Sequence, residues 1–225
     1  MELTMSKTNT ANIQKIFDAQ KANQYKVGNS TAKERIQKLD KLYVAVEKTY
    51  RQEIREAMYQ DFRKHPSEVD LTEIYVVTSE IKHAKRHLRK WMGKNRVGTP
   101  LAMMGSSSWV HYEPKGVCLI ISPWNFPLNL TFGPLVSAIA AGNTVMIKPS
   151  EHTPHTSALM KKIIEELFSS NEIAIVEGGI ETSTELLELP FNHIFFTGAP
   201  SIGKIVMKAA AKNLTSVTLE LGGKS

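Results

Sequence analysis

From residue 117 onward, short apolar runs alternate with amphipathic stretches, and this alternation constrains the fold more than any other feature of the sequence. The runs cover residues 117–121, 144–147, 173–176, 193–196 and 217–221. Runs that are apolar throughout are typical of strands buried on both faces, and intervening helices connect such strands as right-handed parallel crossovers. The sequence therefore predicts an α/β fold: a Rossmann-like five-stranded parallel sheet with helices on both faces.

Amphipathic stretches of helical length separate these runs. They lie around residues 134–141, 154–168, 183–187 and 201–212. In the last stretch, apolar residues follow the helical spacing i, i+3, i+4, i+7, i+8, namely Ile202, Ile205, Val206, Ala209 and Ala210. This stretch is the clearest helix of the set.

The residues that precede the sheet have a helical pattern. Apolar residues recur at helical spacing from 33 to 62, which predicts one long amphipathic helix. A second helix is predicted over 66–93, with Leu71 on its apolar face. We expect the two to pack as an N-terminal helical arm within residues 1–100. The first thirty residues are polar and weakly patterned, and the sequence assigns them no role.

Charge and cysteine content limit the class of protein. The 22 acidic residues offset most of the 28 basic ones, which argues against a nucleic-acid-binding protein. Residues 82–96 hold seven Lys and Arg and no acid, so they present either a solvated helix face or a surface for phosphates or anionic lipid. One cysteine, no zinc-ligand spacing and no run near the ~18 apolar residues of a membrane span predict a cytoplasmic protein. We expect no metal, no nucleic-acid partner and no membrane segment.

Ligands of parallel sheets bind beyond the carboxyl ends of the strands, so the residues after each run are the candidate site. The first run leads into Trp124 and Asn125, which lie between Pro123 and Pro127. The prolines fix the backbone, so Asn125 is a held amide that could donate to an oxyanion during carbonyl chemistry. The alternative is an ordinary turn residue.

The second run ends at Lys148, followed by Ser150 and Glu151, just before a predicted helix. A lysine and an acid at a strand end can bind the ribose hydroxyls of a dinucleotide. The alternative is a helix-capping cluster.

The fourth run ends in Thr197, Gly198 and Ala199 and leads directly into the strong helix, which opens with Ser201, Ile202 and Gly203. Glycines allow close backbone approach, and a helix N-terminus offers free N–H groups to a pyrophosphate. The spacing is not G-x-G-x-x-G. It nearly matches a P-loop, but Ile205 replaces the magnesium-binding hydroxyl and Pro200 removes one N–H, which excludes a kinase or NTPase.

The last run delivers Glu220, followed by Leu221 and Gly222. A carboxylate at the end of an apolar strand is expected to be partly desolvated, which would raise its pKa toward that of a general base. The alternative is a glutamate that faces solvent.

Read together and in this order, these motifs resemble the aldehyde dehydrogenase family. The resemblance covers residues 33–225. Its most specific pieces are Pro123-Trp124-Asn125-Phe126-Pro127, the stretch from Gly142 to Glu151, Phe196-Thr197-Gly198 with Ile202-Gly203, and Leu219-Glu220-Leu221-Gly222-Gly223-Lys224-Ser225. The stretch from 203 to 212 looks closest to the dimeric branch that acts on fatty or aromatic aldehydes. Ala199-Pro200 departs from the small polar residue of many relatives.

The resemblance implies oxidation of an aldehyde to a carboxylic acid through a cysteine thiohemiacetal and thioester, with NAD or NADP. Asn125 and Glu220 would be catalytic, as oxyanion donor and as the base that activates water. The implied cofactor-binding residues are Trp124, Lys148, Ser150, Glu151, Thr197, Gly198, Ala199, Ser201, Ile202, Gly203, Leu221 and Gly222. It also implies that residues 117–225 form the NAD(P)-binding domain, that 101–116 belong to an oligomerisation region, and that the full-length protein is a homodimer.

The nucleophile of the family is missing from this sequence. In relatives it follows the glutamate by a few dozen residues, whereas the single Cys118 lies inside the first apolar run and is expected to behave as a small buried hydrophobe. We therefore expect the chain to be the cofactor-binding portion of a longer enzyme, lacking the catalytic domain and inactive alone. The alternative is a nucleotide-binding module without catalysis.

Overall fold

A computed structural model describes residues 2–223, with side chains from residue 11 onward. Its centre is a five-stranded sheet in which every neighbouring pair is parallel. The strands are β3 (Val117–Ile121), β4 (Thr144–Lys148), β5 (Ile173–Ile175), β6 (His193–Gly198) and β7 (Ser216–Leu221), in the spatial order β5-β4-β3-β6-β7. The predicted sheet is confirmed, and the order reverses between β3 and β6, where open α/β sheets bind their ligands.

Four helices connect these strands. They are α6 (Asn129–Ala141), α7 (Pro154–Leu167), α8 (Ile180–Leu187) and α9 (Pro200–Ala211). The prediction for α6 is wrong at its start, because Pro134 lies inside the helix and not at its first position. A turn of helix precedes this proline, and proline interrupts a helix less severely near its N-terminus.

The N-terminal half is helical. It contains α1 (Glu2–Gly28), α2 (Ala32–Val44), α3 (Arg51–Phe62), α4 (Pro66–Val69) and α5 (Tyr75–Trp91). A continuous helix over 33–62 is wrong, because the π turn Ala45–Thr49 and the non-helical Tyr50 (φ −105°, ψ 5°) separate α2 from α3. A second π turn, Asp70–Ile74, joins α4 to α5.

The second π turn changes which residues face the core. Glu73 is 0% exposed, whereas Leu71, which the sequence places on the apolar face, is 65% exposed. A π turn inserts an extra residue and shifts the phase of the side chains around the helix axis. The predicted face is therefore wrong at Leu71, correct from Ile74 to Leu88, and wrong again at Trp91, which is exposed at the end of α5.

Helix α1 packs on the sheet, although the sequence assigns the first thirty residues no role. Ile13 and Phe17 are buried, and the Phe17 ring meets Phe191 edge-on at 5.0 Å. Gln20 is also buried and donates through Nε2 to the carbonyl of Val145 at 2.9 Å. A glutamine at a core-facing position conceals the apolar stripe, because the acceptors of its Nε2 group are carbonyls far away in sequence.

Alternate side chains of β3 face the two sides of the sheet. Leu119 packs with buried residues of α1, α8 and α9, whereas Ile120 packs with the core that joins α2, α3, α5, α6 and α7 to the sheet. The helical arm thus covers one face. This contact brings its residues within reach of the loops that follow β3 and β4.

A short antiparallel ribbon lies between the helical arm and the sheet. It pairs β1 (Asn95–Val97) with β2 (Ser108–Val110). The sequence of residues 109–112 predicts a short strand, and β2 confirms it in part. The three residues of β1 carry little apolar pattern, so the sequence does not predict that strand. The division of the chain at residues 100 and 116 stays a prediction.

Candidate active site

A cleft of about 790 Å³ lies at the carboxyl edge of the sheet, between α6 and the ends of β3, β6 and β7. It contains eight of the residues selected from the sequence: Trp124, Asn125, Thr197, Gly198, Ala199, Glu220, Leu221 and Gly222. Val76 and Glu80 of α5 also line it. Residues from three strand ends therefore meet in one cavity, as the topology requires.

The loop after β3 presents Trp124 and Asn125 to this cleft. Both residues are exposed, and the Trp124 ring stacks on Phe62 at 6.3 Å between centroids. Behind the loop, Ser122 is buried and its Oγ accepts a 2.7 Å hydrogen bond from Thr131 Oγ1. The start of the loop is thereby attached to α6, while the Asn125 side chain remains open to the cleft.

Two residues that the sequence does not indicate hold the middle and end of this loop. Lys64 Nζ donates to the main-chain oxygen of Asn125 at 2.9 Å and to Glu73 Oε1 at 2.8 Å. The second carboxylate oxygen, Glu73 Oε2, accepts from Asn129 N at 2.9 Å, at the first residue of α6. Burial raises the pKa of Glu73, and the hydrogen bonds from Lys64 and Asn129 oppose this rise without cancelling it.

The end of β6 contributes Thr197 and Gly198. Thr197 Oγ1 is buried and has no hydrogen-bond partner among the described residues. A Cβ at Gly198 would lie 2.6 Å from the Phe196 ring, so a side chain there would require the ring to move. A buried orphan hydroxyl is costly and is normally satisfied by a ligand or water.

Helix α9 begins directly after β6, with Ala199 as N-cap and Pro200 as first residue. No side chain of the described residues caps this end. Ser201, Ile202 and Gly203 form the first turn outside the cleft lining, and a Cβ at Gly203 would lie 2.8 Å from Leu221 Cδ2. The N–H groups of Ile202 and Gly203 donate to the Ala199 carbonyl at 3.0 Å and Pro200 has no N–H, so Ser201 N–H is the donor that this turn leaves for an anion.

Lys148, Ser150 and Glu151 follow β4 and do not line the cleft. Lys148 is buried, and its Nζ donates to Glu151 Oε2 at 2.7 Å. Burial raises the pKa of Glu151, but the hydrogen bond and charge of Lys148 outweigh it, so the pKa lies below the usual range. Ser150 is occupied locally, because its Oγ accepts from His152 N at 3.2 Å. The lysine and acid thus form a pair at the neighbouring strand end.

Glu220 lies opposite Thr197 in the β6–β7 register. Its side chain is exposed, because β7 is the edge strand of the described sheet and its final residues are uncovered. The partial desolvation expected from the sequence is therefore wrong for this chain. Glu220 remains in the strand and lines the cleft, so the carboxylate can reach whatever the cleft holds.

The single cysteine does not have the properties of a nucleophile. Cys118 lies within β3 and is buried, and burial raises the pKa of its thiol to about 12. Among residues 2–223, no group of three or more His, Cys, Asp or Glu side chains is arranged to hold a metal ion. In the same range, no helix combines the length and apolar character needed to cross a membrane.

Comparison with known proteins adds independent information. The model of the aldehyde dehydrogenase family matches residues 3–225. The chain is 46% identical over 196 residues to 4,4'-diaponeurosporen-aldehyde dehydrogenase of Staphylococcus aureus, covering 87% of this chain and 42% of that protein. It is 47% identical over 175 residues to aldehyde dehydrogenase family 3 member B1 of Bos taurus, covering 78% and 37%.

Solved structures give the same result for the fold. The substrate-bound state of Staphylococcus aureus AldH superposes with a TM-score of 0.91 at 43% sequence identity, covering 95% of this chain and 46% of that one. The chain thus spans about half the length, or less, of the relatives that it matches.

Proposed function

The chain belongs to the aldehyde dehydrogenase family, and from that premise we propose that the complete protein oxidises an aldehyde to a carboxylic acid with NAD or NADP. The observation that carries the proposal is the cleft, because it unites an exposed amide, an orphan hydroxyl and a carboxylate from three strand ends. These are Asn125, Thr197 and Glu220. Carbonyl oxidation needs an oxyanion donor and a base for water, and this set contains both.

The residues present fit a nicotinamide dinucleotide. The buried Thr197 hydroxyl lacks a partner, the glycines at 198 and 203 leave the backbone accessible, and the N-terminus of α9 is uncapped. We propose that the first turn of α9 binds the pyrophosphate and that Lys148 and Glu151 bind a ribose. When bound, the nicotinamide supplies the hydride acceptor. The remaining proposed cofactor contacts are Trp124, Ser150, Ala199, Ser201, Ile202, Leu221 and Gly222.

The cofactor form depends on Glu151 in this proposal. Its carboxylate is already paired with Lys148, so a 2′-phosphate would bring two further negative charges beside it. NAD is therefore expected to bind more tightly than NADP. A Lys148 that left Glu151 for the phosphate would reduce this preference.

Asn125 and Glu220 would divide the chemistry. The Asn125 amide would donate a hydrogen bond to the carbonyl oxygen as negative charge develops on it, a contribution of about 3 kcal/mol in comparable sites. The Glu220 carboxylate would accept a proton from the water that attacks the acyl group. The thiol that carries the acyl group is not Cys118 in this proposal, because a buried thiol with a pKa of about 12 is almost fully protonated at neutral pH.

The nucleophilic cysteine is proposed to lie outside these 225 residues, and the chain alone is proposed to be inactive. The relatives named above suggest an apolar aldehyde as the substrate class. The homodimer and the cytoplasmic location stay predictions.

The experiment compares the complete protein with residues 1–225. NADH formation is followed at 340 nm with short, fatty and aromatic aldehydes, and NAD and NADP binding is followed by calorimetry. We expect turnover by the complete protein, loss of about 10²-fold or more in N125A, and cofactor binding without turnover by residues 1–225. Binding without turnover in the complete protein as well would favour the alternative, a non-catalytic nucleotide-binding module. Turnover by residues 1–225 would refute the reasoning about Cys118.

A further inference from the structure

We propose that Lys64, supported by Glu73, is the positioning residue for the Asn125 amide; the proposal rests on the role proposed for Asn125 above. Neither residue lines the cleft. Both belong to the helical arm and reach the loop after β3 from behind. The helical arm would then position a residue of the site in addition to covering one face of the sheet.

The contacts of the Lys64 ammonium group fix its position. Lys64 Nζ bonds the Asn125 main-chain oxygen at 2.9 Å, and the side chain is only 10% exposed. The rings of Phe62 and Phe126 lie 5.1 Å and 4.4 Å from Nζ and restrict where the ammonium can go. A charged donor fixed in this way specifies the orientation of the peptide plane at Asn125.

The two carboxylate oxygens of Glu73 hold two points of the same loop. Oε1 accepts from Lys64 and so acts on Asn125, whereas Oε2 accepts from Asn129 N. The side chain is fully buried, so it has no solvent to exchange these bonds for. The five residues from 125 to 129 are therefore bracketed by one carboxylate.

The Asn125 side chain is exposed in the cleft, and its position depends on the main chain that carries it. Displacing a catalytic group by about 1 Å can cost about 10²-fold in rate. Loss of the bond to the Asn125 oxygen would leave that peptide to rotate toward water, which moves the amide although no atom of Asn125 has been changed.

The variants separate positioning from folding. Lys64→Met alone would leave Glu73 as a buried unpaired charge, so the main test uses K64M/E73Q, which removes both charges and retains an acceptor for Asn129 N. Arg55→Met is the matched control. Arg55 pairs with Asp70 of the same π turn, Arg51 also reaches Asp70, and none of the three touches the Asn125 loop.

Amide hydrogen exchange of peptides covering residues 122–130 measures the positioning, because this range includes the Asn129 N–H that donates to Glu73 and the Leu130 N–H that donates to the Phe126 carbonyl. We expect at least tenfold faster exchange in K64M/E73Q and less than twofold change in R55M. Unchanged exchange in K64M/E73Q would overturn the proposal. This readout does not depend on turnover, so it stands apart from the proposed function.

Kinetics of the complete protein measure the consequence in a double-mutant cycle with N125A. We expect K64M/E73Q to lower kcat about 10–100-fold with the NAD Kd unchanged within twofold, and to cause less than twofold further loss in the N125A background. An equal loss in both backgrounds, or an unchanged kcat, would show that the pair does not act through Asn125. Full activity of N125A alone would instead refute the proposed function, and the exchange data would still decide whether the pair holds the loop.

Discussion

Substitution of Lys64 by Met should make the stability of the chain depend steeply on pH, because it leaves Glu73 buried without its cation. Glu73 is fully buried and retains only the hydrogen bonds from the N-terminus of α6. Breaking a buried pair by removing one partner typically costs about 3–5 kcal/mol. Protonation limits this cost, because the folded state can bind a proton at Glu73 and so remove the buried charge.

The size of the limit follows from linkage. Protonating a glutamate whose unfolded pKa is near 4.5 costs about 1.4 kcal/mol for each pH unit above that value, which gives about 3 kcal/mol at pH 7 and under 1 kcal/mol at pH 5. Burial raises the pKa of Glu73 already when Lys64 is present, and its removal raises it further. The raised pKa favours proton binding by the folded state. The penalty is therefore present at neutral pH and disappears as the pH falls toward 4.5.

Urea unfolding followed by circular dichroism at pH 5, 6 and 7 tests this reasoning. The difference in unfolding free energy between the original chain and K64M should be at most about 3 kcal/mol at pH 7, because the original chain already carries part of the cost, and should fall below 1 kcal/mol at pH 5. K64M/E73Q should lose about 1 kcal/mol with little pH dependence, because it buries no charge. The R55M control should also vary little. A K64M penalty that is equal at pH 5 and pH 7 would refute the assignment of the cost to the Glu73 charge.

Three further predictions concern other parts of the molecule. The buried Cys118 thiol, with a pKa of about 12, should not react with DTNB at pH 8 in the folded chain and should titrate fully in guanidinium chloride. Gly142→Ala should cost about 2–4 kcal/mol in urea unfolding, because φ is +86° and the new Cβ would lie 2.5 Å from Arg35 Cζ; Gly133→Ala in the same helix should cost nothing. Thr197→Val should raise stability by about 1 kcal/mol and weaken NAD binding in calorimetry, and unchanged NAD affinity would exclude a role for this hydroxyl.

The sheet could be predicted from the sequence because each of its strands carries its signal locally. β3 is a five-residue apolar run, β4 is a four-residue run followed by Lys148, and both are buried over their whole length; α9 follows the helical period without interruption. Helix α1 could not be predicted in the same way. Gln20 Nε2 donates to the carbonyl of Val145, 125 residues away, so nothing near Gln20 in the sequence indicates burial.

The residues of the candidate site likewise differ in whether a local sequence pattern predicts them. The residues that follow strands, such as Asn125 and Glu220, were accessible because parallel topology assigns strand ends to one edge. Lys64 and Glu73 were not, because a charged residue in a linker or on an amphipathic helix normally faces solvent. The π turn Asp70–Ile74 turns Glu73 inward, and the partner of Lys64 is a main-chain oxygen 61 residues away. The exposure of Glu220 depends on what covers an edge strand, which a local pattern does not encode.

The corner between α3 and α4 explains why such distant residues matter to the site. Asp61 accepts from the backbone N–H of Thr156 at 2.8 Å, at the start of the helix that follows β4, and Phe62 stacks on Trp124 after β3. Arg63 turns the chain through the left-handed region (φ 60°), and Lys64 then reaches Asn125. Three of these four consecutive residues therefore contact the segments that follow β3 and β4. The corner thus contacts, from outside the cleft, both the loop of the proposed oxyanion donor and the helix that follows the proposed ribose ligands.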